Sequence, residues 1–370
     1  MPIPAFPRRH PSLRIIAAVA AQLILGQPAV AAPPAPPLTV AVQNPDAMWN
    51  AVAVEGARVF LAGPRWTGTK LPPLVMVEGG GAPRPFPDAA WNAWVPGADP
   101  AHAFVNINAI HRDDAGGLWV VDTGAPDFGG DPLPGGAKLV RIDLNTGRVD
   151  RVIPLGADVA RPGSYVDDIR FHGSHAYLTD AGQPGLIVLD LATGVARRVL
   201  DRHPSTVAPA DRPIVVDGET VLAPDGRPLA VHSDPLEVSP DGEWLYYAPL
   251  EGPWSRVPTR LLDDPAVPAA TLADAVRPWI DLPPVGGTAM GPDGSLYYTD
   301  LAANAVRRRA PDGSVTSVAH DARLHWVDAP YLAADGTLWL PAAQMDRVAL
   351  FHHGKSQVRA PMTIFTVRTR

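Results

Sequence analysis

The sequence predicts an all-β protein, a six-bladed β-propeller built of four-stranded antiparallel blades. Three observations predict it. A glycine-containing turn followed within a few residues by an aromatic-bearing strand recurs along the chain, hairpins with Thr-Gly or Asp-Gly turns recur between these units, and no long helical periodicity interrupts them. A two-sheet sandwich would explain the alternation of apolar and polar residues equally well, but not the matched aromatic-bearing units.

The turn-strand units run in order as "VEGARVFLAG", "DDAGGLWVVD", "HAYLTDAG", "SPDGEWLYYA", "GPDGSLYYTD" and "AADGTLWLPA". Proline fixes φ at the first corner of a Pro-Asp-Gly turn, and glycine accepts the positive φ at the next. Phe60, Trp119, Tyr177, Tyr246, Tyr297 and Trp339 head the six units, at spacings of 59, 58, 69, 51 and 42 residues. Each interval has room for four short strands. The hairpins "LVRIDLNTGRVDRVI" (139–153), "LIVLDLATGVARRVL" (186–200) and "AVRRRAPDGSVTSVA" (305–319) supply the remaining strands. "LTVAVQ" (38–43) and "PMTIFTVRTR" (361–370) both alternate like strands, so the N-terminal strand is expected to join the last blade and close the ring.

Before the first strand the chain reads as an export signal. Arg8, Arg9 and Arg14 form a basic region, "IIAAVAAQLIL" (15–25) an apolar one, and "AVAA" (29–32) a small-residue cleavage site. Residues 1–31 are therefore expected to be a signal peptide and 32–37 a proline-rich spacer, leaving 38–370 as a single propeller domain that is secreted or periplasmic. The apolar run falls short of the roughly 20 residues a membrane span needs, so no membrane association is expected after cleavage.

Composition narrows the function. The 370 residues contain no cysteine, which excludes disulfides, thiolate metal sites and cysteine nucleophiles together. A net charge of −7 with no basic run argues against nucleic acid as a partner. There is no G-x-S-x-G elbow and no H-E-x-x-H helix. "GPRWTGTK" (63–70) lacks the Gly-Lys of a phosphate-binding loop and reads as a blade loop, while His320, His325, His352 and His353 read as solvated loop or strand residues.

One constellation remains. In a propeller the innermost strand of each blade begins at the mouth of the central channel. Counting back ten to twelve residues from each aromatic gives Asn50, Asn108, Asp167, Asp234, Gly287 and Asp328. Five of these six are Asn or Asp, and Asp168 adds a carboxylate beside Asp167. Carboxylates gathered around one axis repel, which raises their pKa values unless a cation sits among them. Such hard oxygen donors suit calcium or magnesium. Loop capping of backbone amides is the competing explanation for each residue taken alone.

The phrases "KLVRIDLNTG", "SYVDDIRF", "AYLTDAG", "IVLDLATGVARRVLDRHPS" and "EVSPDGEWLYYAPLEG" resemble the major royal jelly protein/Yellow family, from about Leu38 to the C-terminus. The resemblance implies a secreted six-bladed propeller and either pigment-pathway chemistry or small-ligand binding. The chain departs from the pattern at Asp234-Pro235-Leu236, where Asp-Gly-Ile is expected. The related gluconolactonase and regucalcin propellers carry a divalent metal on a Glu, two Asn and an Asp. Against that set, Asn108 and Asp234 match, Asn50 stands in the place of the Glu, and Asp167 in the place of an Asn.

Two functions follow. The first is an enzyme acting on a small cyclic substrate, by lactone hydrolysis or dopachrome-type isomerisation, with Asp167 and Asp234 catalytic. The second is a non-catalytic binder of a cationic amine, held by Asn50, Asn108, Asp168, Asp328 and the ring of Trp326.

Overall fold

The computed structural model describes residues 1, 2, 4 and 37–369. The chain divides into Met1–Pro34 and Ala35–Arg370, and all described secondary structure lies in the second unit. The expected signal peptide and nearly all of the spacer lie outside the described residues. Among the described residues no helix is long and apolar enough to cross a membrane.

Six four-stranded antiparallel sheets make the propeller. After β1 (Thr39–Asn44), blade one holds β2 (Ala51–Glu55), β3 (Arg58–Ala62), β4 (Leu74–Glu78) and β5 (Arg84–Pro85). Blade two holds β6 (Ile107–Arg112), β7 (Gly117–Asp122), β8 (Lys138–Asp143) and β9 (Arg148–Pro154). Blade three holds β10 (Val166–His172), β11 (His175–Asp180), β12 (Gly185–Asp190) and β13 (Ala196–Val199). A small hairpin, β14 (Val215–Val216) and β15 (Glu219–Thr220), precedes blade four. That blade holds β16 (Ser233–Val238), β17 (Trp244–Pro249), β18 (Trp254–Pro258) and β19 (Arg277–Ile280), with helices α1 (Thr259–Asp263) and α2 (Ala269–Ala275) between its last two strands. Blade five holds β20 (Val285–Met290), β21 (Leu296–Asp300), β22 (Ala305–Arg309) and β23 (Val315–His320). Blade six holds β24 (Tyr331–Leu332), β25 (Thr337–Ala342), β26 (Met362–Arg368) and, at its outer edge, β1.

The ring closes through both chain ends. β1 pairs antiparallel with β26, Thr39 opposite Thr366 and Asn44 opposite Met362. An isolated parallel bridge, Ala51 to Ala329, ties blade six back to blade one. The first strands of neighbouring blades touch one another around the axis, which makes them the channel wall.

The repeated aromatic has a common place: Phe60, Trp119, Tyr177, Tyr246, Tyr297 and Trp339 all lie on the second strand of their blades. Each packs into the apolar layer shared with the following blade, Phe60 with Leu118 and Val140, Trp119 with Leu178 and Ile187, and Trp339 back against Val52 and Leu61 of blade one. The repetition in the sequence is thus the radial contact that holds blade to blade. The Asp-Gly turns join first to second strands. Asp241, Asp293 and Asp335 accept the backbone N–H two residues on, at 3.0, 3.0 and 2.9 Å, and Gly242, Gly294 and Gly336 take the positive φ each turn requires.

Candidate functional site

The first strands of blades two to five reach the mouth of the channel, and a common irregularity aims their residues. The ladders between first and second strands slip at Ile107/Ala109, Val166/Ile169, Ser233/Leu236 and Val285/Thr288. These bulges contain Asn108, Asp167, Asp234 and Gly287. A bulge bends its strand and redirects a side chain that regular alternation would send into the blade. Pro235 is accommodated at one such slip, where the ladder needs no amide from it.

The mouth holds a cavity of about 380 Å³, and Asn108, Asp167, Asp234, Trp326 and Asp328 all line it. Asn50 and Asp168 do not. Asn50 lies behind the wall and donates from Nδ2 to the carbonyl of Asn108 at 2.9 Å. Asp168 turns to Arg170, whose Nη1 it meets at 2.7 Å. Blade five contributes glycine because the chain entering blade six passes against it: a Cβ on Gly287 would lie 2.5 Å from the carbonyl oxygen of Asp328.

A hydrogen-bonded chain runs across the cavity wall. The indole N–H of Trp66 donates to the Tyr165 hydroxyl at 2.9 Å, the Tyr165 hydroxyl donates to Asn108 Oδ1 at 2.9 Å, and Asn108 Nδ2 donates to Asp167 Oδ1. Asp167 and Asp234, from adjacent blades, line the same cavity, and their carboxyls influence one another's ionisation. Thr179 Oγ1 fixes the backbone of Asp234, donating to its carbonyl at 2.7 Å.

Burial dominates the electrostatics of these acids. It pushes the Asp167 carboxyl well above the usual range, and the nearby charges of Asp328 and Asp168 add to the shift. Asp234 is raised well above its ordinary value too, by burial and then by Asp167 and Asp328. Burial carries Asp328 up to about 8, against the pull of the Ala329 amide and the Trp326 indole. Two carboxyls buried in one cavity raise one another's pKa, so each resists ionisation more than a free carboxyl does. His232, also on the wall, is lowered by burial. Its Nδ1 accepts the Ala208 amide at 3.0 Å, which places the proton of the neutral ring on Nε2.

Below the acids the channel is plugged by a cation. Arg170 grips Glu237 with two donors, Nε at 3.1 Å and Nη2 at 2.9 Å, and Thr288 Oγ1 donates to the same carboxylate at 2.8 Å. Burial opposes the Arg170 charge, but Asp168 and Glu237 outweigh it and raise its pKa.

Loops complete the pocket from above. Trp66, Phe128 and Phe351 come from the connections between second and third strands of blades one, two and six, and meet with ring centroids 4.8 to 6.1 Å apart. The hairpin β14–β15 and the segment after it fold over the mouth, packing Ile214, Val216 and Leu229 against Trp326 and Met345. The sequence stretch that half resembled a phosphate loop is a short 3₁₀ turn, Arg65–Thr67, and its contribution is Trp66.

Of the residues expected to hold a divalent ion, Asn108 is already engaged at both ends of its side-chain amide. Asn108 spends its oxygen on Tyr165 and its amide on Asp167. Among the described residues, no group of three or more His, Asp or Glu is arranged to hold a metal ion.

Comparison with known proteins agrees with this architecture. By sequence, no curated protein matches the chain. A streptogramin B lyase structure is similar in fold, with a TM-score of 0.51 at 13% identity over 90% of this chain and 97% of that one. The luciferin-regenerating enzyme is similar with a TM-score of 0.54 at 8% identity, over 90% and 95% of the two chains. At such identities the likeness is one of fold. The family model described as major royal jelly protein matches residues 107–369, blades two to six including the acids of the mouth. The chain therefore belongs to the major royal jelly protein family.

Proposed function

We propose that the mouth pocket is a general acid–base site that isomerises a small ring-bearing substrate by proton transfer, in a protein acting outside the cytoplasm. The observation that carries this reading is the pair Asp167 and Asp234, from adjacent blades, in one buried cavity. With one of the two protonated, the other, a carboxylate, takes a proton from a carbon or hydroxyl next to a carbonyl, and the protonated carboxyl returns a proton to the displaced electron pair. The substrate gains and loses one proton, so the product is its tautomer and no co-reactant is required. Trp66, Phe128 and Phe351 offer a cluster of tilted aromatic rings against which the substrate ring can pack, and the Nε2–H of His232 a donor for its carbonyl.

A second reading draws on the same lining: carboxyls and aromatic rings also suit a cationic amine that is bound and not turned over. The test is an aminochrome tautomerisation assay, run beside a lactone panel and with and without EDTA, on protein whose metal content has been measured. Metal-independent tautomerisation that falls tenfold or more, about 1.4 kcal/mol, in Asp234→Asn supports the proposal. The paired control Asp293→Asn, in the turn between the first two strands of blade five and outside the mouth cavity, should retain full turnover. Lactone hydrolysis abolished by EDTA would replace proton exchange with a metal mechanism, and tight amine binding without turnover would establish the second reading.

A further inference from the structure

A groove beside the closing strands carries a cation that the fold does not use. It lies over blade six as a cavity of about 270 Å³, with Val40 of β1, Pro361 just before β26 and Phe365 of β26 among its apolar walls. Arg323, Arg347, Arg359 and His325 also border it. Three of these four are already matched. Arg323 meets Asp321 at 2.6 Å and lies over the Phe365 ring, 5.3 Å from its centre. Arg347 donates to Gln344 Oε1 at 3.1 Å and meets Asp217 at 3.3 Å. His325 meets Asp346 at 2.8 Å through Nε2. This histidine, which the sequence suggested was solvated, is only 2% exposed, because the two carboxylates on either side of it hold it inside.

Two features are left over. Arg359 has its backbone pinned by Gln344, whose Oε1 accepts the Arg359 amide at 2.9 Å and whose Nε2 donates to the Arg359 carbonyl at 2.9 Å. Its guanidinium pairs with no carboxylate among the described residues. The second feature is Nδ1 of His325, a buried atom without a hydrogen bond although Asp217 stands 3.3 Å away.

We propose that this groove binds a small amphiphilic carboxylate, its tail against Val40, Pro361 and Phe365 and its head on the Arg359 guanidinium. The planar fork of arginine matches a carboxylate with two parallel hydrogen bonds. Apolar walls favour a tail, which distinguishes this ligand from inorganic sulfate or phosphate. The volume is below the roughly 300–1,000 Å³ of drug-sized pockets, so the tail is short. The site is separate from the acidic mouth and does not depend on the chemistry proposed there. Because its walls include both β1 and β26, an occupant would bind the folded ring in preference to the open chain and raise its melting temperature.

Titration calorimetry and thermal melts with hexanoate as the probe test this, with hexanol, hexylamine and sulfate as comparisons. The expected result is saturable hexanoate binding with a rise in melting temperature, and no saturable binding of the other three. Arg359→Gln, at an exposed position that leaves the fold intact, should weaken hexanoate tenfold or more, and Arg359→Lys less. A surface control, Arg84→Gln, should bind hexanoate as the parent does. Absence of saturation, equal binding of hexanol or sulfate, or unchanged affinity in Arg359→Gln would each overturn the proposal.

Discussion

Lys138 and Asp122 form an ion pair at 2.7 Å with neither side chain in contact with water, 1% and 0% exposed. The aspartate ends the second strand of blade two, and the arrangement recurs. Asp180 ends β11 and meets Arg198 at 2.7 Å, and Asp300 ends β21 and meets Arg307 at 2.8 Å. In each case the carboxylate also accepts backbone amides, those of Val105 and Asn106 at Asp122 and those of Tyr165 and Gly182 at Asp180. The "DT" or "TD" that closes the second strand of blades two, three and five is thus a staple. In blades two and three it holds the segment entering the first strand, and so the residues that line the mouth.

Lys138→Met leaves Asp122 buried without its cation. Breaking a buried pair by removing one partner costs about 3–5 kcal/mol. Urea unfolding should show a loss of that size. A loss under about 1 kcal/mol would mean that the backbone amides alone satisfy the carboxylate.

Tyr165→Phe cuts the chain from Trp66 to Asp167 at its middle. The Trp66 indole and Asn108 Oδ1 both lose a buried partner, at about 1–3 kcal/mol each. The expected outcome is a lower melting temperature and a shifted pH profile of turnover or binding, since Asn108 no longer orients Asp167. Trp66→Phe, which leaves the Tyr165–Asn108 bond intact, should move the pH profile much less.

Stability should fall as pH rises between the ordinary and the native pKa values of the mouth acids. Asp328 moves from 3.8 to about 8, and Glu251, buried behind Leu250 with one oxygen unpaired, from 4.5 to about 7. Across that window the native protein holds protons that the unfolded chain has released, so acid favours the native state and the advantage is lost towards pH 8. Carboxylates held low, such as Asp113 in its turn, act in the opposite sense only below their ordinary value of 3.8. Urea titrations from pH 5 to 8 should therefore show declining stability in the parent and a flatter profile in Asp328→Asn.

The closing blade separates a structural strand from a decorative one. Phe365 of β26 is 3% exposed, and Phe365→Ala should cost about 3–5 kcal/mol. Val40 of β1 is 44% exposed, and Val40→Ala should stay within about 0.5 kcal/mol. Deleting residues 362–370 removes the strand between β1 and β25 and should lower the melting temperature by many degrees. A near-normal melt of that truncation would mean the ring does not depend on closure by the chain ends.

The propeller was legible because each blade repeats one physical need, an aromatic on the second strand that packs against the next blade. Asn108, Asp167, Asp234 and Asp328 were legible for the same reason, at a fixed distance before that aromatic. What escaped the count were residues with no period. Trp66, Phe128 and Phe351 lie on loops of unequal length, and Tyr165 stands just before its strand. The hairpin over the mouth left one trace, the 69-residue gap between Tyr177 and Tyr246, the longest of the five. Asp168 was misplaced because alternation along a bulged strand is not regular: the slip that turns Asp167 into the cavity leaves its neighbour facing Arg170. Arg170 and Glu237 could not be paired from sequence, since they lie on different blades and meet only when the ring closes.

Four blades each hand the mouth a single polar side chain from a bulge or a strand entrance, while the contacts that keep the ring together lie further out, on the second strands. Evolution can therefore edit the chemistry one blade at a time. On the reading proposed above, an exchange at position 108, 167, 234 or 328 would alter what the mouth recognises while the second-strand contacts between blades stay in place, so that such a plan leaves its sequence repeats recognisable as its ligands change.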